Sequence, residues 1–294
     1  MLISGKTIAN HIIDSITTRV HNLYTDKGVQ PHLVVIQVGT NPGSSSYIAQ
    51  KRKSAEKIGA ALSHYHLPEN VTQKELLETM DYLQHKTEEP VHGMLVQLPL
   101  PSHIDRDAVI AAIDPEKDVD GFTANSPYHV PVGDAVMYIL ATIWQIETQE
   151  SRDEALYPLD ERISTWLTGK KILVIGQGFT AGAPITRTLI SLGFHPETMD
   201  EHTMHPEELI KNADVIVSCV GKKKIITSSM IKKDAILIGV GMNKDEEGDL
   251  FADYDVLDIE KVAKYFTPVP GGVGPVNIAC LMQNLVTSAE KAAK

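Results

Sequence analysis

Lys170-Lys171-Ile172-Leu173-Val174-Ile175-Gly176-Gln177-Gly178-Phe179-Thr180-Ala181-Gly182 is the stretch whose reading decides the fold. A short apolar run, about the length of a parallel strand covered on both faces, passes directly into a glycine-rich turn. Pro184 then marks the first turn of a helix. Glycines where a backbone must approach pyrophosphate, followed by a helix N-terminus aimed at negative charge, make the dinucleotide-binding arrangement. The spacing is GxGxxxG instead of GxGxxG, so the strand before and the helix after carry the reading. Gly176, Gln177, Gly178 and Gly182 are the candidate loop residues. Some twenty residues on, Asp200-Glu201 follows Met199, where a second strand is expected to end. A carboxylate there can bond both hydroxyls of an adenosine ribose and repels a 2′-phosphate. Further buried runs at Asp214–Val220 and Ala235–Val240 predict a doubly wound, Rossmann-like domain.

Working outward, His32–Val38 and Val91–Gln97 read as buried strands, with helices over Ser45–Ile58 and Thr72–His85. The polar stretch from Glu147 to Ile163 reads as a solvated connection. The fold class is therefore α/β with two domains. The first spans residues 1–122 and is completed by a C-terminal helix over 275–294; the second is a nucleotide-binding domain over 123–274. The chain has 294 residues, 43% of them hydrophobic, enough for two cores. Its net charge of −11 argues against nucleic acid as a partner, because neutralising phosphates takes a basic surface. The two cysteines, Cys219 and Cys280, have no ligand or disulfide spacing, which fits a reducing compartment. No apolar run is long enough to span a membrane and the N-terminus has no leader pattern, so a cytoplasmic protein is expected. Twelve histidines come without HExxH or comparable ligand spacing, and no metal site is expected. No GxSxG elbow is present.

Three further segments carry candidate chemistry. In Ser44-Ser45-Ser46-Tyr47-Ile48-Ala49-Gln50-Lys51, a serine can cap the helix and Gly59 can end it, which puts Tyr47 and Lys51 one turn apart on one face. A lysine desolvated in a cleft has its pKa lowered toward values useful for proton transfer. The run Lys51-Arg52-Lys53, taken by itself, favours a helix face in water. Gln97 ends a hydrophobic strand, where open α/β sheets place their ligand crevice, although an amide can also cap a strand for structural reasons. Asp114 through Phe122 puts four carboxylates before a Gly-Phe turn. One of them could pair with the donor edge of a heterocycle, or all could belong to an acidic loop. Finally, Thr267-Pro268-Val269-Pro270-Gly271-Gly272-Val273-Gly274-Pro275 can be neither ordinary helix nor strand. It is either a ligand-facing wall or an interdomain turn.

The chain resembles the bifunctional methylenetetrahydrofolate dehydrogenase/cyclohydrolase family in Ser4-Gly5-Lys6, Tyr47 through Lys53, Val96 through Pro101, Lys117 through Phe122, and Thr267 through Pro275. The resemblance implies that Lys51 is the catalytic lysine, Gln97 its hydrogen-bonding partner, Tyr47 a ring stacked on folate and Asp120 the anchor of the pterin. Pro270, Gly271 and Gly272 would form the wall of the folate cleft. It also implies tetrahydrofolate derivatives as substrates, a nicotinamide cofactor, a homodimer and a place in one-carbon metabolism that feeds purine biosynthesis. Members with a single activity, and a binding module without turnover, are the alternatives. Departures concentrate in the nucleotide half. The family's Gly-Arg-Ser-x-x-Val-Gly is Gly176 through Gly182 here, without the arginine and serine. A His-Ser pair aligns with Asp200-Glu201, and an Asp before Val-Gly is Gly239. NAD is therefore expected in preference to NADP.

Overall fold

The computed structural model describes residues 1–150, 161–244 and 250–294, and these divide into two compact units. The first unit comprises Asn10–Pro131 and Ile278–Lys294; the second comprises Met1–Ala9 and Val132–Asn277. Of the charged connection expected over residues 147–163, positions 151–160 lie outside the described residues.

In the first unit, α1 (Gly5–Lys27, from Asn10 on) leads into a three-stranded parallel sheet of order β2-β1-β3. Its strands are β1 (His32–Val38), β2 (Ala61–Leu67) and β3 (Gly93–Gln97). β1 is central and all seven of its residues are buried, which is why it reads as an unbroken apolar run. β2 is an edge strand, half-exposed and carrying His64 and His66, and its sequence lacks the apolar signature. α2 (Pro42–Ile58) starts three residues before the sequence-based expectation, and its cap is Asn41 in place of a serine. The Asn41 side chain accepts the Ser44 N–H at 3.0 Å, and Pro42 needs no donor in the first turn. Gly59 ends the helix at φ +80°, its N–H bonded to Ala55 and Glu56 carbonyls. α3 (Gln73–His85) opens with a capping box, Thr72 and Glu75 each accepting the other's backbone N–H. Val34, Ile36, Leu76, Met80, Met94 and Val96 form the core under α3, joined by Val109 of α4 (Arg106–Ala111).

The second unit holds α5 (Pro131–Thr148, from Val132 on), α6 (Glu161–Thr168) and a five-stranded parallel sheet of order β10-β7-β6-β4-β5. These strands are β4 (Ile172–Ile175), β5 (Glu197–Met199), β6 (Val215–Ser218), β7 (Ile236–Gly239) and β10 (Tyr265–Phe266). α7 (Gly182–Ser191), α8 (Pro206–Asn212) and α9 (Val256–Ile259) connect them, with a small antiparallel pair, β8 (Met242–Lys244) and β9 (Leu250–Ala252). From β4 the chain winds to β5 on one side, then returns to β6 and β7 on the other. The strand order therefore reverses beside β4, where doubly wound sheets bind ligands. Residues 1–9 go with this unit because Ile3 donates its N–H to Phe266 O at 2.8 Å, and Phe266 donates to Met1 O at 3.1 Å, covering the β10 edge. α10 (Val273–Ala292) ends the chain, its residues from Ile278 onward belonging to the first unit.

At the N-terminal ends of β1 and β3, two buried histidines meet. His92 Nδ1 accepts the His32 backbone N–H at 3.2 Å, so His92 must be neutral at that nitrogen. Burial, with His32 and Lys117 nearby, holds its pKa below the ordinary 6.5. A folded pKa lower than the unfolded one contributes stability that is full above about pH 6.5 and is lost as pH falls toward the folded value. Urea midpoints measured from pH 7.5 down to 5.5 are therefore expected to fall more steeply in the wild type than in His92→Asn, whose side-chain oxygen can take the same N–H. Parallel falls in the two proteins would show that protonation of His92 contributes nothing.

Candidate functional site

The buried face of α2 consists of Ser44, Ile48, Lys51, Ala55 and Ile58. This is the stripe spacing of an amphipathic helix, and Lys51 occupies an apolar position in it. Its exposure is 8%. The neighbouring Arg52 and Lys53 are exposed, so the basic run divides between water and the interior. Tyr47, one turn before Lys51, is half-buried, and burial pushes its phenol pKa up.

Lys51 Nζ donates to Gln97 Oε1 at 2.9 Å. The other end of the Gln97 amide donates to Leu98 O at 2.9 Å, a carbonyl that also accepts the Ser44 hydroxyl at 3.2 Å. The amide therefore cannot flip without losing both partners, and its oxygen stays on the lysine. Gln97 is the last residue of β3, so this pair stands at the carboxyl end of the parallel sheet. Its register partner on β1, Gln37, donates to Ser45 Oγ at 3.2 Å and to Gly39 O at 3.1 Å, and its Oε1 lies 3.1 Å from His64 Nε2.

The acidic loop separates into a structural and an available carboxylate. Asp118 is fully buried and accepts the N–H groups of Gly121 at 3.0 Å and Thr123 at 2.6 Å, so it shapes the turn. Gly121 follows at φ +71°, and a side chain there would run into Tyr128 O and Val130 N. Asp120 is half-buried and near enough to Lys51 for their charges to act on each other. Burial lowers the Lys51 pKa and the Asp120 carboxylate raises it; burial raises the Asp120 pKa and Lys51 lowers it. α10 holds the loop from behind, Asn284 donating to Val119 O at 2.9 Å and His129 O at 3.0 Å. Neither Ser44 nor Asn284 stands out in the sequence; the stripe position of Ser44 is the only local signal for it.

In the second unit, Gly176 (φ +84°) leaves β4, and a Cβ on Gly182 would lie 1.6 Å from Gly176 O. Those two glycines are required by the turn itself. Gly178 is different: an added Cβ would meet nothing within 4 Å, so the backbone is open there for another molecule. Ala181 at the N-cap of α7 offers no side-chain acceptor to the first-turn N–H groups. Loop and helix start thus fit a pyrophosphate. Gln177 faces inward, donating to Val174 O and Gly176 O at 3.3 Å and accepting from Thr186 Oγ1 at 3.2 Å, which makes it a brace of the loop. Asp200 follows β5, in register beside β4. It is exposed, and the His202 N–H and Thr203 hydroxyl hold its carboxyl below the usual range. Glu201 beside it is also exposed. Pro270, Gly271 and Gly272 belong to this unit as well, with Gly271 at φ +103° and Gly272 buried against Thr267 and Pro268 O. A Cβ on Gly5 would lie 1.7 Å from Gly272 O, which accounts for glycine in the opening Ser4-Gly5-Lys6. Among the described residues, no cluster of three or more His, Cys, Asp or Glu could hold a metal, and no helix is long and apolar enough to cross a membrane.

The chain is similar to known proteins over nearly its whole length. Residues 3–120 match the catalytic domain of tetrahydrofolate dehydrogenase/cyclohydrolase, and residues 154–293 match its NAD(P)-binding domain. The bifunctional protein FolD of Enterococcus faecalis is 36% identical over 290 residues, covering 99% of this chain and 98% of its own. The crystal structure of the FolD methylenetetrahydrofolate dehydrogenase/cyclohydrolase from Campylobacter jejuni superposes with a TM-score of 0.87 at 33% identity, over 99% of both chains. That of the Trypanosoma brucei enzyme, complexed with NADP and an inhibitor, gives 0.85 at 29% identity, over 100% of this chain and 98% of its own.

Because the Asp120 carboxylate is what raises the Lys51 pKa against burial, Asp120→Asn is expected to move the Lys51 titration to lower pH. Following the lysine ε-carbon by NMR in both proteins measures it. An unchanged midpoint would place the carboxylate too far away to act.

Proposed function

The chain belongs to the tetrahydrofolate dehydrogenase/cyclohydrolase family, and we propose that it oxidises 5,10-methylenetetrahydrofolate to the methenyl form and hydrolyses that form to 10-formyltetrahydrofolate, with Lys51 as the proton carrier of the second step. The observation that carries this reading is a lysine amine in an apolar helix stripe, bonded to Gln97 and near the Asp120 carboxylate. A binding module has no use for a lysine whose pKa is tuned by burial and a carboxylate. Asp120 also offers the acceptor that the donor edge of a pterin needs, and the Tyr47 ring, one turn from Lys51, offers a face for stacking.

A bound nicotinamide would supply the acceptor for the hydride that leaves the methylene carbon. The chain's own part in that step is orientation. In the hydrolysis, water adds to the methenyl carbon and gives one proton to the neutral Lys51 amine. Lys51 returns a proton to the departing folate nitrogen as the C–N bond breaks, and the hydroxyl proton leaves to water as the formyl C=O forms. Gln97 Oε1 keeps Nζ directed throughout. For the nucleotide we propose NAD. Gln177 is turned inward and offers no cation to a 2′-phosphate, while Asp200, ionised and exposed beside the glycine loop, suits ribose hydroxyls. The family resemblance extends the reading to a cytoplasmic homodimer serving purine synthesis.

Lys51→Met is expected to abolish hydrolysis of the methenyl form while folate still binds, and Lys51→Arg is not expected to restore it, because a guanidinium stays protonated and planar. Methenyl absorbance and equilibrium folate binding measure the two properties separately; retained hydrolysis would sink the assignment. In the wild type, kcat/KM with NAD is expected to exceed that with NADP by at least about tenfold, since bringing like charges together in a partly dehydrated site costs about 1.4 kcal/mol or more. Asp200→Ser combined with Glu201→Ser should narrow the ratio. A wild-type preference for NADP would mean that a cation from elsewhere in the fold reaches the phosphate.

A further inference from the structure

Thr267, the first residue of the Pro/Gly loop, has no exposed surface, and every one of its polar atoms is engaged. Its N–H goes to Leu237 O at 3.1 Å, and its Oγ1 accepts the Gly239 N–H at 2.9 Å. Its carbonyl accepts the Tyr254 hydroxyl at 2.6 Å, and Tyr254 Oη lies a further 3.1 Å from Thr267 Oγ1. Tyr254 has one proton, which goes to the carbonyl, so the threonine hydroxyl donates back to the phenol oxygen and closes a ring of bonds. Tyr254 is itself 3% exposed.

Space for the phenol comes from Gly239, where a Cβ would lie 2.6 Å from the Tyr254 oxygen, 2.9 Å from its ring and 2.8 Å from Val269 Cγ2. Glycine at the end of a parallel strand has little local reason, and its φ is not positive. The tyrosine supplies the reason. Downstream, Gly272 rests on the same threonine, its own missing Cβ only 2.8 Å from Thr267 Cβ. The contacts therefore run from Gly239 and Tyr254 through Thr267 to Gly272. The preceding Asp253, fully buried, accepts the Ser218 hydroxyl at 2.5 Å and the N–H groups of Val220 at 3.0 Å and Lys222 at 2.9 Å. Two consecutive residues thus tie down the turn after β6 and the loop after β10.

We propose that Tyr254 is a positioning residue, its hydroxyl setting the Pro/Gly loop for substrate through Thr267, with Gly239 kept free of a side chain to admit it. Its effect on turnover rests on the folate reading above, whereas its hold on the loop does not. Tyr254→Phe removes only the hydroxyl. KM for methylenetetrahydrofolate is expected to rise about tenfold, the usual effect of one lost buried hydrogen bond, with a smaller change in kcat. Hydrogen exchange at Val269, Gly271 and Gly272 should quicken about as much, while exchange in β4 stays the same. Thr267→Val should reproduce the faster exchange and Thr267→Ser should not, which keeps the test available if Tyr254→Phe folds poorly. Gly239→Ala should raise KM in the wild type and add less in a Tyr254→Leu background, where only the Val269 contact remains. Unchanged KM and loop exchange in Tyr254→Phe, or additive effects in the double variant, would overturn the proposal. If the wild type turns over no folate, the functional reading fails, and the exchange data still decide whether Tyr254 holds the loop.

Discussion

An ammonium group held out of water is the constraint on which the first unit depends. Lys51 stands where the helical stripe calls for an apolar residue, and a charge placed there must be paired or lose its proton. The surrounding structure supplies a partial answer to both demands. Gln97 gives an uncharged acceptor locked by Leu98 and Ser44, and Asp120 gives a counter-charge at the edge of the site. Neither alone would fix the amine between its two protonation states; burial and the carboxylate pull in opposite directions. The caps at Asn41 and Gly59 matter for the same reason, because they set the rotation and ends of α2 and therefore which side chain lies inside.

Among the strands of the first unit, those that could be read from sequence were the ones whose burial is nearly uniform. β1 reads from His32 to Val38 because both faces are covered, whereas β2 escapes notice because an edge strand with half-exposed histidines lacks an apolar run. Lys51, Gln97 and Asp120 come together in space, yet no local pattern separates Asp120 from Asp118, since only the folded loop shows which carboxylate its backbone N–H groups consume. Gln177 illustrates the opposite difficulty. Its place in a glycine-rich loop suggests a ligand contact, but its side chain closes on Thr186 and the end of β4. Gly239 and Tyr254 are fifteen positions apart, a relation that neither helical nor strand periodicity can display.

The glycines of the second unit serve different ends. Gly182 and Gly5 are small because another backbone presses on them, Gly239 because a phenol does, and Gly178 because nothing does.

The support given to the acidic loop by Asn284 and to the neighbouring backbone by Ser288 has a consequence for how the chain is made. A ribosome delivers the loop more than a hundred and fifty residues before Asn284. Gly93 waits longer still for Leu285, which packs directly over it. When Phe266 has been added, the strands of the second unit have all been synthesised, yet the last support of the first unit is still untranslated. The unit that carries Lys51 is the one closed last.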